Sequence, residues 1–186
     1  MDRKEKILIA ASRVFRKYGL NKTKLSDIGR ESGYNSSSLY YYFKNKDDLL
    51  QQMVLYDIEK IKKALKISLQ DINNMKSGLK NYLMTRVEQM DIINRYEEML
   101  QDSVMSPPLR KFFRKIEKEL RIYENRLLEN FILKCSKKHA KDATVITNLV
   151  LGVSMKLTVA RMLDRYSLDR IEKMVDQTVK FLLRES

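Results

Sequence analysis

The chain has 186 residues, of which 44% are hydrophobic, with only five glycines and two prolines, a balance that excludes a disordered chain and suits one compact helical unit or a small head on a larger body. The formal net charge of +13, at a pI near 9.7, favours a polyanionic partner. Cys135 is the only cysteine, so an internal disulfide is excluded and a reducing cytoplasm is the expected compartment. No apolar run is read as approaching the ~18 residues of a membrane span, and no membrane partner is expected. The N-terminal stretch MDRKEKILIAASRVF is interrupted by acidic residues and does not read as a signal peptide.

The first predicted helix runs from about Arg3 to Tyr18. Ile7, Ala10, Ala11, Val14, Phe15 and Tyr18 recur at three- and four-residue intervals on one face, and Gly19 stops it. A second helix spans about Leu25 to Glu31, with Thr23 and Ser26 offering capping chemistry and Gly33 ending it. Asn35 caps a third, short helix, Ser36 to Tyr42. Asn45 caps a fourth, which Asp47 and Asp48 open with charge that suits the helix dipole. It carries Leu49, Leu50, Met53, Ile58, Ile61 and Leu65 and is long enough to leave the head.

Residues 73–78, NNMKSG, read as a loop, and a helix from about Leu79 carries Leu83, Val87 and Met90. A break is expected near Asp91 to Asn94. Ser106, Pro107 and Pro108 start a helix running to about Lys134, with Leu109, Phe112, Phe113, Ile116, Leu120, Tyr123 and Leu127 inward. Asp142 caps the next, about Ala143 to Asp164, and Ser167 caps the last, Leu168 to about Leu183. No strand, repeat or low-complexity segment is expected. The fold class is all-α: a three-helix head, joined by a long fourth helix to a helical-bundle body, with about nine helices in all.

Charge is concentrated at the head. Residues 1–46 hold eleven basic residues against four acidic ones, a surplus of seven in a quarter of the chain. Three short helices with a tight Gly33-Tyr34-Asn35 turn form a helix-turn-helix pattern, its motif at about residues 25–44, and the turn needs a residue that tolerates positive φ. Ser36, Ser37 and Ser38 follow without bulk, so backbone and hydroxyls can approach phosphate or base edges. Tyr40, Tyr41 and Tyr42 stand ~100° apart on the helix and cannot all face a core. Lys44 and Lys46 then stand as phosphate partners.

These residues carry a resemblance. Residues 28–50, IGRESGYNSSSLYYYFKNKDDLL, resemble the DNA-binding head of the TetR family of bacterial transcriptional regulators. Ile28-Gly29, Ser32-Gly33, Leu39-Tyr40, Phe43 and Lys44-Asn45-Lys46 stand at the family's places, and residues 7–19, ILIAASRVFRKYG, resemble its first helix. The sequence departs from the pattern at Lys24, where Thr is frequent, at Gly29 for Ala, at Asn35 for Ser, and at Ser37 for Gly or Pro. The resemblance covers about a quarter of the chain. It implies base recognition by Ser36, Ser37, Ser38, Tyr40 and Tyr41, with Tyr42 at the groove edge. It implies phosphate contact by Lys24 or Ser26, Tyr40 and Lys46, with Leu39 and Phe43 in the core; Asn35 and Lys44 complete the candidate DNA-binding set.

On this reading residues 1–46 are the DNA-binding domain and residues 47–186 a helical ligand-binding and dimerisation domain. The protein is expected to bind double-stranded operator DNA as a homodimer, since two heads read two half-sites. The dimer stripes are Val145, Leu149, Val153, Leu157 and Ala160 on one helix and Ile171, Val175 and Val179 on the next, forming a four-helix bundle with their symmetry mates. The family resemblance further implies repression relieved by a small-molecule inducer, apolar or amphipathic. Its candidate site is Tyr96, Met99, Phe112, Phe113, Ile116 and Tyr123, with Met84, Val87, Leu100 and Met155 nearby in the pattern.

No enzyme activity, cofactor or metal is expected. Cys135 and His139 lie four residues apart, but two ligands are too few for a structural zinc site, and Lys137, Lys138 and Lys141 repel cations. The basic run Arg110, Lys111, Arg114, Lys115, Lys118 and Arg121, broken by Glu117 and Glu119, reads as a solvated face. Two other functions fit the same composition: a DNA-binding activator or nucleoid-type factor without a small ligand, and a helical adaptor that presents a basic face.

Overall fold

The computed structural model describes residues 2–89, 92, 96, 105–163 and 165–183. Among them there are eight α-helices and one 3-10 helix, and no strand. The helices are α1 (Arg3–Lys22), α2 (Leu25–Ser32), α3 (Ser36–Tyr42), α4 (Lys46–Leu69), α5 (Met75–Glu88), α6 (Pro107–Cys135), α7 (Ala143–Met162) and α8 (Leu168–Leu182), with a 3-10 turn at Lys137–Asp142. Expected caps are found: the side-chain oxygen of Asn35 accepts from the Ser38 N–H at 2.8 Å, and that of Asn45 from the Asp48 N–H at 2.8 Å. Ser106 and Ser167 cap α6 and α8, each accepting at 3.4 Å from the backbone N–H three residues on. The regular turn of α1 is interrupted at Gly19, whose φ is 74°, before one more turn follows.

Two boundaries differ from expectation. Helix α5 starts at Met75 rather than Leu79, because the Asn74 side chain accepts from the Ser77 N–H at 3.0 Å. Gly78 is thus helical, and a Cβ there would lie 2.0 Å from Cζ of Phe131 on α6. The glycine is a packing contact, not a loop residue. Between α6 and α7 the chain winds a 3-10 turn with Asp142 at its end, and Asp142 makes no side-chain cap bond. The expected break at Asp91–Asn94 lies almost wholly outside the described residues.

The chain divides into two compact units, Met1–Glu59 with Ile92–Glu117, and Lys60–Asp91 with Lys118–Ser186. In the first, Ile7, Ala11, Phe15, Ile28, Leu39 and Phe43 pack with Leu49, Leu50 and Met53 of α4 and with Tyr96, Leu109 and Ile116. The head is therefore a packing unit that reaches past residue 46. The Ser106 hydroxyl also donates to Asp47 at 3.3 Å, joining the starts of α6 and α4.

In the second unit the largest buried side chains include Tyr82, Ile61, Leu65 and Leu79. Lys80 of α5 holds Glu172 and Asp176 of α8 at 3.0 and 3.1 Å. Leu157, Ala160, Ile171, Val175 and Val179 are all buried within this unit, at 8% exposure or less. These five positions of the expected dimer stripes thus serve the core of their own protomer, and a side chain covered there has little area left to cover a partner. The apolar face that α7 leaves open carries Val145, Leu149, Val159 and Leu163, with Gly152 exposed among them and Val153 half-buried at its side. This composition also makes Lys137–Arg161 long and apolar enough to pass as a membrane span, contrary to the sequence reading. Nearly half of that stretch is buried within the protein, as in the core helix of a globular domain.

Candidate nucleic-acid interface

Helix α2 opens with the Asp27 carboxylate accepting from the Lys24 N–H at 3.0 Å, so Lys24 holds the cap position and its side chain stays exposed. Thr23 is buried instead, its hydroxyl donating to the Gly19 carbonyl at 2.7 Å. Gly33 closes α2 in the left-handed region, at φ 76° and ψ 18°, a conformation that penalises any Cβ. Gly29 has a different reason. A Cβ there would meet the Tyr34 carbonyl oxygen at 2.6 Å, while the Tyr34 N–H donates to the Gly29 carbonyl at 2.9 Å. The departure from the family's Ala therefore accompanies a turn that lies close against α2.

Helix α3 is anchored from below by Leu39 and Phe43, 0% and 1% exposed. With that face fixed, Tyr40 and Tyr41 point outward at 60% and 84% exposure. Two large aromatic side chains held in water by a seven-residue helix gain nothing from burial within the protomer. Tyr42 is half-buried, stacked edge-on to Tyr41 at 5.0 Å and tilted against Phe43 at 6.2 Å. Ser37 is exposed, as are Ser26 and Lys44, whereas Ser36 and Ser38 are partly covered. The Ser38 hydroxyl donates to the Asn35 side-chain oxygen at 2.8 Å, so Asn35 and Ser38 hold the start of α3 together.

Lys46 is placed differently from the phosphate role expected of it. Its ammonium donates to the carbonyls of Leu20 at 2.7 Å, Thr23 at 3.2 Å and Asn21 at 3.4 Å, at the end of α1. All three ammonium protons thus serve carbonyls left over at a helix end. Asp48 sits nearby. Burial pushes its carboxyl up, but hydrogen bonds from Gln52 and from the Lys44 N–H outweigh this and hold it below the usual value.

Arg13, Arg16, Lys17 and Arg30, which no sequence motif marks out, line a polar cleft of about 620 Å³ between α1 and α2 together with Tyr18, Asp27 and Glu31. Arg13 meets Glu31 at 3.5 Å, and Lys17 lies 5.1 Å over the Tyr18 ring. The charge count of the head was the only available signal, and it does not separate these residues from the other basic ones.

Of the expected ligand residues, Tyr96, Phe112, Phe113 and Ile116 come together in the apolar cluster of the first unit, with the two phenylalanine rings edge-on at 5.6 Å. Tyr123 belongs to the second unit, where its hydroxyl donates to the Lys62 carbonyl at 3.0 Å. Met155 is 69% exposed and lines no interior. Met99 and Leu100 lie outside the described residues. No cluster of metal ligands occurs among the described residues.

Residues 7–53 match the model of the bacterial regulatory proteins of the tetR family. Over 167 residues the chain is 29% identical to the HTH-type transcriptional regulator LmrA of Bacillus subtilis, covering 84% of this chain and 87% of that protein. Its fold is similar to the fatty acid degradation regulator FadR of Bacillus halodurans, with a TM-score of 0.72 at 17% identity, covering 98% of this chain and 95% of that one. It is also similar to the FadR of Bacillus subtilis solved in complex with stearoyl-CoA, with a TM-score of 0.67 at 17% identity over 96% of both chains. The helix-turn-helix geometry and the family match across α1 to α4 agree: residues 7–53 form a helix-turn-helix head that matches the tetR family of bacterial regulatory proteins, on a chain whose fold is similar to that of solved transcriptional regulators.

Proposed function

We propose that this regulator represses transcription by holding a palindromic operator as a homodimer, and that a small apolar or amphipathic molecule releases it. Residues 1–46 supply the DNA contacts, and residues 47–186 bind the effector and the second copy. The observation that carries the DNA reading is the face of α3, where Leu39 and Phe43 are buried and Tyr40 and Tyr41 stand in water. Ser36, Ser37 and Tyr40 address base edges and phosphate, with Lys24, Ser26 and Lys44 on the backbone. Lys46 supports this surface from behind. A cytoplasmic location follows from the DNA partner, and the reading needs no catalysis.

The dimer reading rests on α7. Val145, Leu149, Val159 and Leu163, exposed at 43–58%, recur at near-heptad spacing around Gly152, and such a stripe on one helix suits a symmetric helix pair. The effector reading rests on the aromatic cluster around Tyr96 and on the acyl-CoA complex of the related fold. The test is fluorescence anisotropy with duplex DNA from upstream of the chain's own coding sequence, at several salt concentrations. A preference of about a thousandfold over random duplex, with a steep salt slope, is expected. Equal affinity for both duplexes would sink the operator reading.

A further inference from the structure

The cleft between α1 and α2 gathers four cations, Arg13, Arg16, Lys17 and Arg30, around a space of about 620 Å³, with only Asp27 and Glu31 to oppose them. Neither carboxylate balances the set. Oδ2 of Asp27 accepts from the Lys24 N–H at 3.0 Å, and its Oδ1 stands 3.8 Å from Arg30. Glu31 meets Arg13 at 3.5 Å. Both ion pairs are longer than a direct hydrogen bond, and the two arginine side chains keep 68% and 83% exposure. Exposed pairs of this kind contribute little and yield to a better partner. Arg16 is exposed on the same wall and has no ion pair among the described residues.

The spacing of Arg13 to Arg16 and Lys17, three and four residues, puts all three on one face of α1, where like charges repel. Arg30 faces them from the last turn of α2. A carboxylate would bring one charge and two oxygens in a plane, which the cleft already has in Asp27 and Glu31. A phosphate chain brings two or more charges and oxygens directed to several sides, which the guanidinium forks of both walls can meet together. The walls are built by α1 and α2 without α3, so this site is distinct from the face that carries Tyr40 and Tyr41.

We propose that the α1–α2 cleft binds a small polyphosphate anion, of the kind a nucleoside di- or triphosphate carries. This is a ligand site in the head, and it does not rest on the effector reading of residues 47–186.

Pyrophosphate and ATP, both free of metal, are the probes. The full chain, its Arg13→Gln/Arg16→Gln variant and an Arg110→Gln/Arg114→Gln variant are titrated by calorimetry at about 150 mM salt, where exposed charges beyond ~8 Å are screened. The last variant removes the same charge from two exposed arginines of α6. Circular dichroism melting verifies both folds. The expected result is a dissociation constant below about 100 µM for at least one probe, weakened tenfold or more by the cleft variant and less than twofold by the α6 variant. Arg30→Gln, on the opposite wall, is expected to weaken binding as well. Failure of both probes to bind, a loss under tenfold in the cleft variant, or an equal loss in the α6 variant would each overturn the proposal, the last by marking a general attraction to a chain of net charge +13. DNA is the other source of phosphate. The salt slope of duplex binding is expected to be the same in the wild type and the cleft variant. A slope reduced by about one unit or more would assign the cleft to the DNA backbone and overturn the proposal.

Discussion

The Nζ of Lys46 lies 2.7 Å from the carbonyl oxygen of Leu20, so the first residue of α4 closes the last turn of α1. A charged donor shared among three otherwise unsatisfied carbonyls contributes about 1.5–3 kcal/mol where it is partly buried.

That geometry separates two roles that one mutation would otherwise confuse. Lys46→Met is expected to lower the melting temperature of the protein and to weaken DNA binding in proportion. The slope of log affinity against log salt should stay unchanged. A phosphate-contacting lysine would instead reduce that slope by about one unit while leaving the melting temperature alone. A reduced slope at constant stability would return Lys46 to the DNA surface.

Tyr40 and Leu39 are neighbours with opposite exposures, 60% and 0%, and their substitutions should part accordingly. Tyr40→Phe removes one hydroxyl from the exposed face and is expected to weaken operator binding about fivefold to tenfold, near 1–1.4 kcal/mol, with the fold intact. Leu39→Ala empties a fully buried site and is expected to cost about 2–5 kcal/mol of stability. Unchanged anisotropy titrations for Tyr40→Phe would remove that hydroxyl from the contacts.

How much of this was legible in the sequence depended on the range of the interaction. The caps at Asn35, Asn45, Ser106 and Ser167 are local, since each side chain bonds a backbone group three residues away, and residue type with position fixes them. The core of α3 was likewise legible from the spacing of Leu39 and Phe43. The contacts of Lys46 with the end of α1 were not legible, because its partners lie 23 to 26 residues back, and a Lys-Asn-Lys run reads the same whether it meets phosphate or a helix end. The stripes of α7 and α8 show a related limit. Periodicity identifies an apolar face but does not say whether the same chain covers it, as it does Ile171, Val175 and Val179, or leaves it open, as at Val145 and Leu149.

Gly78 illustrates the same limit and gives a stability prediction. Alanine is favoured over glycine by about 1 kcal/mol inside a helix, so propensity alone predicts that Gly78→Ala stabilises α5. The added Cβ would lie 2.0 Å from Cζ of Phe131, itself 5% exposed and closely packed. Overpacking of this kind costs about 1–3 kcal/mol and should win. Denaturant unfolding is expected to show net destabilisation, largely relieved in the double variant with Phe131→Leu. A non-additive pair of this sign is the mark of direct contact.

Gly152 presents the opposite case. It lies inside α7, is exposed, and a Cβ there would meet nothing within 4 Å of its own protomer. A mid-helix glycine costs about 1 kcal/mol, and no contact within the protomer offsets that cost. The exposed stripe around it supplies a reason, because two helices crossing at a glycine approach more closely than side chains would allow. Gly152→Ala is therefore expected to raise the helical stability of the isolated protomer while weakening self-association, and Leu149→Glu should abolish association by setting like charges against each other across the two-fold axis. Sedimentation velocity across a concentration series separates the effects. A dimer that tolerates both substitutions would place the interface elsewhere, and the glycine would then need another explanation.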